Sequence, residues 1–179
     1  MVHEGQSDKD LVRRFQRGDQ QAFETLVERY HAQIFRIASV SLIVPEHSAD
    51  VTQEVFIRAY RGLRKFRFQA EPYTWLYRTM KNVCREFNRK ERYVAEELEH
   101  VVSDESLEEK IIHKRRLNKV RVLLETLPPR QRDVVVLRIF EEQSVEETAQ
   151  TMNCRPGTVK ALLHQALQKI RQAEGISEQ

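Results

Sequence analysis

The sequence predicts an all-α protein in which two small helical domains are joined by an acidic flexible linker. Charged residues make up 32% of its 179 residues, and glycine and proline number only five each, which favours helices with short turns. Apolar residues recur at spacings of three and four along most of the chain. Residues 94–109 interrupt this pattern with seven carboxylates and no lysine or arginine, which predicts an extended tether.

Three helices are predicted in the first third of the chain. Ser7 followed by Asp10 is typical of a helix start, and Gly18 ends this first helix. Asp19 caps a longer second helix, and a third helix begins near Pro45. The apolar stripe of the second helix consists of Phe23, Leu26, Val27, Tyr30, Ile34 and Ile37.

The third predicted helix exposes a mixture of polar and apolar side chains. Its inner side carries Val51, Val55 and Ala59 at helical spacing. The residues that face outward or flank this surface include Asp50, Gln53, Glu54, Ile57 and Arg58. Such a mixture occurs both on ordinary surfaces and at sites that bind another protein, so both interpretations stay open.

Aromatic and cationic residues alternate in the next segment, residues 65–71. Phe66 and Phe68 stand between Lys65 and Arg67 without a regular period. Aromatic rings stack unpaired bases while cations hold the nucleic acid strand, so this loop is a candidate site for single-stranded DNA. The alternative places one of the two phenylalanines in the core beneath the loop.

The helix predicted from Pro72 to Arg92 has three faces. The apolar face carries Leu76, Met80, Val83 and Phe87; the opposite, cationic face carries Arg78, Lys81, Arg85, Arg89 and Arg92; and the strip between them carries Trp75, Thr79, Asn82 and Glu86. This arrangement suits a helix that packs on its own domain and lies along a phosphate backbone. An amphipathic surface helix with solvated charges has the same pattern.

The second domain is predicted to end in a helix-turn-helix. A helix from about Lys110 to Leu124 and an apolar helix from Gln131 to Phe140 precede a capping box formed by Ser144 and Glu147. A short helix to Met152, the turn NCRPG and a final helix from Thr158 complete the motif. The residues assigned to a DNA major groove are Arg155, Thr158, Lys160, His164 and Gln165, with Gln168 on the same face.

Catalysis, metal binding and membrane insertion are not indicated. The six histidines are scattered without an HExxH motif, and no phosphate-binding glycine loop or nucleophile motif is present, so we expect neither an enzyme nor a cofactor or metal. Cys84 and Cys154 lack metal-ligand spacing and are expected to be reduced thiols. Without a leader or a long apolar run, the chain is predicted to be cytoplasmic.

The order of these parts resembles bacterial RNA polymerase sigma factors of the extracytoplasmic-function (ECF) group. The match covers roughly residues 8–92 and 112–172. The segments that carry it are GDQQAF (18–23), DVTQEVFIRAY (50–60), YTWLYRTMKNVC (73–84), LPPRQRDVVVLR (127–138) and SVEETAQTMNCRPGTVK (144–160). Five such segments in the same order across two domains are a specific signal.

The resemblance implies a non-enzymatic factor that binds core RNA polymerase and directs it to promoter DNA. It divides the chain into a region 2 domain (1–92), the linker (93–111) and a region 4 domain (112–179), which holds the polymerase flap and reads the −35 element. It assigns Asp50, Gln53, Glu54, Ile57 and Arg58 to the clamp helices of the polymerase, and Arg78 and Asn82 to a captured base of the −10 element. From the helical geometry, Lys81, Arg85 and Arg89 are assigned to phosphates, and Phe66, Phe68 and Trp75 are the candidates for base stacking.

The resemblance also implies an inhibitory anti-sigma factor, often membrane-anchored, as a partner. One departure is that Ala161, Leu162, Gln165 and Leu167 stand where the family has groups that contact DNA, so we expect the second domain to bind DNA weakly. A different class of function also accounts for the helix-turn-helix, namely a free-standing regulator of duplex operators. A further hypothesis is that oxidation of Cys84, close to the base-reading strip, interferes with promoter opening.

Overall fold

The computed structural model of the chain describes residues 6–98 and 120–173. Every regular element within these two ranges is a helix, which confirms the predicted fold class. The chain divides into two compact units, Met1–Glu91 and Arg92–Gln179.

Three helices and most of a fourth build the first unit, and local capping sets where the first two begin. They are α1 (Asp8–Gln16), α2 (Gln20–Ser41), α3 (Ser48–Leu63) and α4 (Pro72–Leu98), with a 3-10 turn at Pro45–His47 before α3. The side chain of Ser7 accepts a hydrogen bond from the backbone N–H of Asp10, and Asp19 accepts one from Ala22. Between α1 and α2, Gly18 takes a φ of 101°, which favours glycine. The predicted helix starts at Ser7 and Asp19 are thereby confirmed.

The core of this unit lies where the apolar faces of the four helices meet. Phe15 of α1 packs against Phe23 of α2 and Tyr60 of α3, with ring centroids 5.0 and 5.2 Å apart. The largest fully buried side chains of this unit are Leu11, Val12, Phe15, Ile34, Ile37, Leu42, Val51, Val55, Met80 and Val83. Apart from Leu42, which follows α2, these residues lie at the helical spacings seen in the sequence, and their burial supplies the main driving force for folding.

Helix α4 is longer than the sequence predicted. It continues through Leu98, six residues into the segment 93–111 that we expected to be linker. The segment VAEEL that ends it is rich in good helix formers, and a helix that has already nucleated extends through such residues at little cost. The remainder of the predicted linker, residues 99–111, lies outside the described residues.

The second unit contains the predicted helix-turn-helix. Its helices are α5 (residues 120–126), α6 (Pro129–Val135), α7 (Val145–Met152) and α8 (Pro156–Ala173). After α6 the chain makes a π-helical turn, Val136–Phe140, so the helix predicted through Phe140 changes its hydrogen-bonding pattern at Val136. Ser144 and Glu147 form the predicted capping box at the start of α7.

The turn of the motif is tight. Asn153 closes α7 in the left-handed region with φ 49°, a conformation that asparagine tolerates better than most residues. Helix α8 begins at Pro156, two residues before the predicted start, because proline suits the first turn of a helix. Val159 and Ala166 on α8 are buried together with Val134 and Leu137. The opposite face of α8 is therefore left to solvent.

None of the helices in residues 6–98 and 120–173 combines the length and hydrophobicity that a membrane crossing requires.

Candidate nucleic-acid interface

Helix α4 separates its apolar and cationic faces as predicted. Leu76, Met80 and Val83 are at most 5% exposed, while Phe87 is half-buried. On the other side, the side chains of Arg78, Arg85, Arg89 and Arg92 are exposed, and that of Lys81 is half-buried. A row of cations therefore runs along the solvent face of a helix whose other face is anchored in the core.

The three candidate stacking residues form one cluster next to this row. The ring of Phe66 meets those of Phe68 and Trp75 edge to face, at centroid distances of 5.1 and 6.2 Å. All three side chains are half-buried. Neither phenylalanine is a core residue beneath the loop, and neither is fully exposed. The cluster is thus assembled before any ligand arrives.

Contacts from α1 hold the aromatic loop in place. The side-chain amide of Gln16 donates hydrogen bonds to the backbone carbonyls of Leu63 and Phe66, both at 2.9 Å. The guanidinium of Arg13 lies over the ring of Phe68, 5.1 Å from its centroid. Phe68 itself has a φ of 56°, an uncommon conformation for a bulky residue. Neither Gln16 nor Arg13 was singled out from the sequence.

Trp75 fits against a glycine of α3. A Cβ atom built on Gly62 would lie 2.5 Å from both Cη2 and Cζ2 of the indole, so no larger residue fits without moving the ring. A glycine in a helix interior costs about 1 kcal/mol of stability relative to alanine. Its presence therefore indicates that another group packs closely against the helix backbone there. That signal was present in the sequence at Gly62 and was not used.

The strip between the two faces of α4 is only partly available for DNA. Asn82 is exposed, and its side-chain oxygen accepts a hydrogen bond from Arg85 at 3.2 Å. The hydroxyl of Thr79 donates to the backbone carbonyl of Trp75 at 3.0 Å. Glu86, at the end of the strip, is paired with Arg58 of α3. Asn82 is therefore the polar side chain of this strip that is best presented to a base.

The five residues assigned to polymerase lie along one edge of α3. They line a groove of about 470 Å³ that also includes Glu86, Phe87 and Lys90 of α4. Asp50, Gln53 and Ile57 are exposed, and the exposed fraction of Ile57 is 39%. Glu54 and Arg58 are half-buried and bonded to each other at 2.7 Å. The structure thus brings the five predicted residues together, and a hydrogen bond joins two of them, Glu54 and Arg58.

A larger apolar groove opens on the other side of Ile57. It has a volume of about 730 Å³ and runs between α2 and α3. Val27 and Phe35 line it from α2, and Gln53, Phe56 and Ile57 line it from α3. Phe35 is 41% exposed. Exposed large apolar side chains around a groove are typical of a protein-binding surface.

Helix α8 presents the residues assigned to the major groove. Arg155, Lys160 and His164 are exposed, and Thr158 is half-buried at the start of the helix. Gln165 is also exposed, but its side-chain oxygen accepts a hydrogen bond at 3.1 Å from Gln131 of α6, a buried residue. Part of the hydrogen-bonding capacity of Gln165 is therefore used within the protein.

The surroundings of Cys84 argue against the oxidation hypothesis. Cys84 is 3% exposed, and its Sγ lies 3.6 Å from Sδ of Met80. Burial raises the pKa of the Cys84 thiol to about 12. Since the thiolate is the form that reacts with oxidants, a buried thiol with a raised pKa is a poor sensor. The sequence placed Cys84 near the base-reading strip but did not show that it faces the core.

We expect alkylation to distinguish the two thiols. In the native protein at pH 8, iodoacetamide should modify Cys154, which is half-exposed, well before Cys84. The thiolate fraction of Cys84 should be roughly a thousandfold below that of an ordinary cysteine, before steric protection is added. Mass spectrometry of timed samples measures both rates, and labelling in denaturant is the control. Equal rates in the native state would contradict the buried position of Cys84.

Comparisons with known proteins agree with these features. Residues 26–93 match the model of Sigma-70 region 2, and residues 117–170 match that of Sigma-70, region 4. The chain is 35% identical over 181 residues to the RNA polymerase sigma-H factor of Pseudomonas aeruginosa, covering 94% of both chains. It is 34% identical over 178 residues to the ECF RNA polymerase sigma-E factor of Escherichia coli (strain K12), covering 92% of both.

Two solved structures share the fold. CnrH in complex with the cytosolic domain of CnrY aligns with a TM-score of 0.72 at 22% identity, over 97% of this chain and 100% of that one. The sigma factor RpoE of Bartonella quintana, in complex with the anti-sigma factor NepR, aligns with a TM-score of 0.56 at 18% identity, over 87% and 98%. The matches to both Sigma-70 regions and the two relatives above 30% identity show that the chain belongs to the ECF group of RNA polymerase sigma factors, which direct promoter-specific initiation of transcription.

Proposed function

We propose that this sigma factor binds core RNA polymerase through the exposed edge of α3. Asp50, Gln53 and Ile57 supply a charge, an amide and an apolar anchor within one helical face. Interfaces of this kind combine a buried apolar centre with a polar rim. Ile57 lies between the two grooves and is the natural centre, and the clamp helices of the polymerase are the expected partner. The observation that carries this proposal is the exposure of Ile57 beside the apolar groove between α2 and α3.

The cationic row and the aromatic cluster are proposed to capture the −10 element as a single strand. Lys81, Arg85 and Arg89 would hold phosphates, while Arg78 and Asn82 would contact a base. Unstacking a base costs a few kcal/mol, and stacking it on an aromatic side chain returns about 1 to 3 kcal/mol. Phe66, Phe68 and Trp75 are the rings placed for this exchange. Because the cluster is already packed, little ordering entropy is lost on binding.

Helix α8 is proposed to contact the −35 element weakly, with the polymerase flap held by the same unit. Arg155, Lys160 and His164 are the exposed groups available for phosphate or base contacts. Ala161 and Leu162 add no charge to this face. Because α8 makes few phosphate contacts, its affinity for duplex DNA is expected to be low and to depend only weakly on salt. Attachment to polymerase would then supply the effective concentration that the helix lacks.

We further propose that the chain works in the cytoplasm without chemistry of its own and is regulated by an anti-sigma factor. Of the two solved structures of the same fold, the sigma factor RpoE is in complex with the anti-sigma factor NepR, and CnrH is in complex with the cytosolic domain of CnrY. The apolar groove between α2 and α3 is a surface that an inhibitor could cover. A membrane anchor on such an inhibitor follows from the family resemblance alone. An operator-binding regulator leaves this groove and the aromatic cluster without a role.

Run-off transcription tests the proposed function. Core polymerase with and without the purified chain is supplied with a fragmented genomic library, and the transcripts are sequenced. We expect discrete start sites that depend on the chain and share upstream elements. Binding of the chain to duplex DNA without any transcript that depends on it would favour the operator-binding regulator instead.

The cationic row gives a second test. Replacing Arg85 and Arg89 by Ala should weaken binding of a −10 single strand by the sigma–polymerase complex about tenfold at 0.1 M salt. Each phosphate contact that is lost reduces the number of counterions released on binding. The slope of log affinity against log salt concentration should therefore become shallower by about 1.4. The matched control removes two exposed arginines elsewhere in the first unit, namely Arg17, which follows α1, and Arg36 on α2. Equal losses in both double variants would show that the effect is one of net charge and not of the α4 row.

A further inference from the structure

Three of the five N–H donors of the Arg58 guanidinium bond carboxylates of its own domain. Its Nε donates to Oε1 of Glu54, one turn earlier on α3, at 2.7 Å. Its two terminal nitrogens donate to the two carboxylate oxygens of Glu86 on α4, at 2.8 and 2.7 Å. The family resemblance assigned Arg58 to polymerase, but most of its hydrogen-bond donors are already used within the domain.

The pair with Glu86 constrains geometry more than it adds stability. A planar guanidinium that meets both carboxylate oxygens fixes the distance and the relative orientation of the two groups, which a lysine would not do. Hydrogen bonding to Glu86, and then to Glu54, raises the pKa of Arg58 above its usual range, and Arg58 holds the pKa of Glu86 below its usual range. The side chains are still 36% and 43% exposed, so solvent screens the attraction.

The position of this pair relates two surfaces that act on different partners. Arg58 follows Ile57, the proposed anchor for polymerase, on α3. Glu86 lies one turn beyond Asn82, the base-reading side chain of α4, so both point from the same strip. Nearer the start of α4, Trp75 is seated against Gly62 of α3. Asn82 thus lies between two ties that join α4 to α3.

We propose that Arg58 is a positioning residue that, through Glu86, sets the orientation of the promoter-reading strip of α4 relative to the polymerase-binding edge of α3. The inference rests on the proposed roles of α3 and α4. Polymerase seated on α3 then receives a strip whose direction is already set. Arg58 need not touch polymerase or DNA to do this.

A double-mutant cycle tests the proposal in the holoenzyme. The variants are Arg58→Ala, Glu86→Gln and their combination, with Glu28→Gln as a control that removes one charge from an exposed site on α2. Affinity for core polymerase is measured by fluorescence anisotropy. Promoter opening is measured at saturating sigma factor by permanganate reactivity of thymines in the −10 element. Circular dichroism melting curves verify that each variant is folded at the assay temperature.

At saturating sigma factor we expect both single variants to open the promoter about fivefold less well than wild type, the size of effect that one partly exposed bidentate pair supports. The double variant should open it no worse than Arg58→Ala, since both changes remove one interaction. Three results would each overturn the proposal: losses of opening that multiply in the double variant, unchanged opening in the single variants, or a tenfold loss of polymerase affinity in Arg58→Ala alone. Failure of the wild-type protein to bind polymerase would instead overturn the proposed function.

Discussion

Replacing Ile57 by Asp is expected to weaken binding of core RNA polymerase by at least about a hundredfold. Ile57 is 39% exposed and lies between the two grooves that border α3. At the centre of an apolar contact, a carboxylate loses its water without gaining a partner, which costs several kcal/mol. Since each 1.4 kcal/mol is about tenfold in affinity, two orders of magnitude is a conservative expectation.

Titration of labelled sigma factor with core polymerase measures this loss. Ala32→Asp is the matched control, because it introduces the same charge at an exposed position of α2 outside both grooves. Ile57→Leu keeps an apolar anchor of the same volume and should retain affinity within a few fold. An Ile57→Asp protein that binds as tightly as the Ala32→Asp protein would remove α3 from the proposed polymerase interface.

Replacing Phe66 by Ala is expected to reduce promoter opening by about tenfold or more. Phe66 lies between Phe68 and Trp75 in the aromatic cluster, so its loss removes one stacking surface and loosens the other two. Stacking of one base on an aromatic ring is worth about 1 to 3 kcal/mol, and a released base returns to the duplex. Binding of polymerase should be unaffected, because Phe66 lines neither groove.

Permanganate reactivity measures opening of the duplex template, whereas the affinity of the sigma–polymerase complex for a template with a pre-melted −10 bubble measures capture of the unpaired strand. The deficit should persist on a template with an unpaired −10 bubble, since the stacking surface is still missing there. Tyr93→Ala is the control, because Tyr93 is an aromatic residue of the same helix α4 and is 64% exposed. Full rescue by the bubble would mean that Phe66 acts on the duplex and not on unpaired bases.

Local patterns account for much of what the sequence predicted. The caps at Ser7, Asp19 and Ser144 are satisfied within three residues, so neighbours in sequence suffice to predict them. The faces of α4 follow from 3.6 residues per turn, and so the burial of Met80 and Val83 was predictable. The helix-turn-helix was predictable for the same reason. Its DNA-contacting residues are predictions, and the variants above test the corresponding predictions for α3 and α4.

The sequence was less informative where the answer depends on distant residues. The family resemblance assigned Arg58 to polymerase, and its pairing with Glu86, 28 residues away, could not be predicted from local spacing. Cys84 is close in sequence to the residues of the base-reading strip, but in the structure it is buried in the core. Gln165 faces outward on α8 and is still bound by Gln131.

The sequence by itself determined the helices, their caps and their amphipathic faces, because these depend on spacings of a few residues along the chain. Only the tertiary structure decided which exposed groups are paired within the protein, as Arg58 is with Glu86, and which side chains pack against another helix, as Trp75 does against Gly62. The physical reason is that a periodic pattern specifies the direction in which a side chain points from its helix. The partner it meets there is set by how the helices pack.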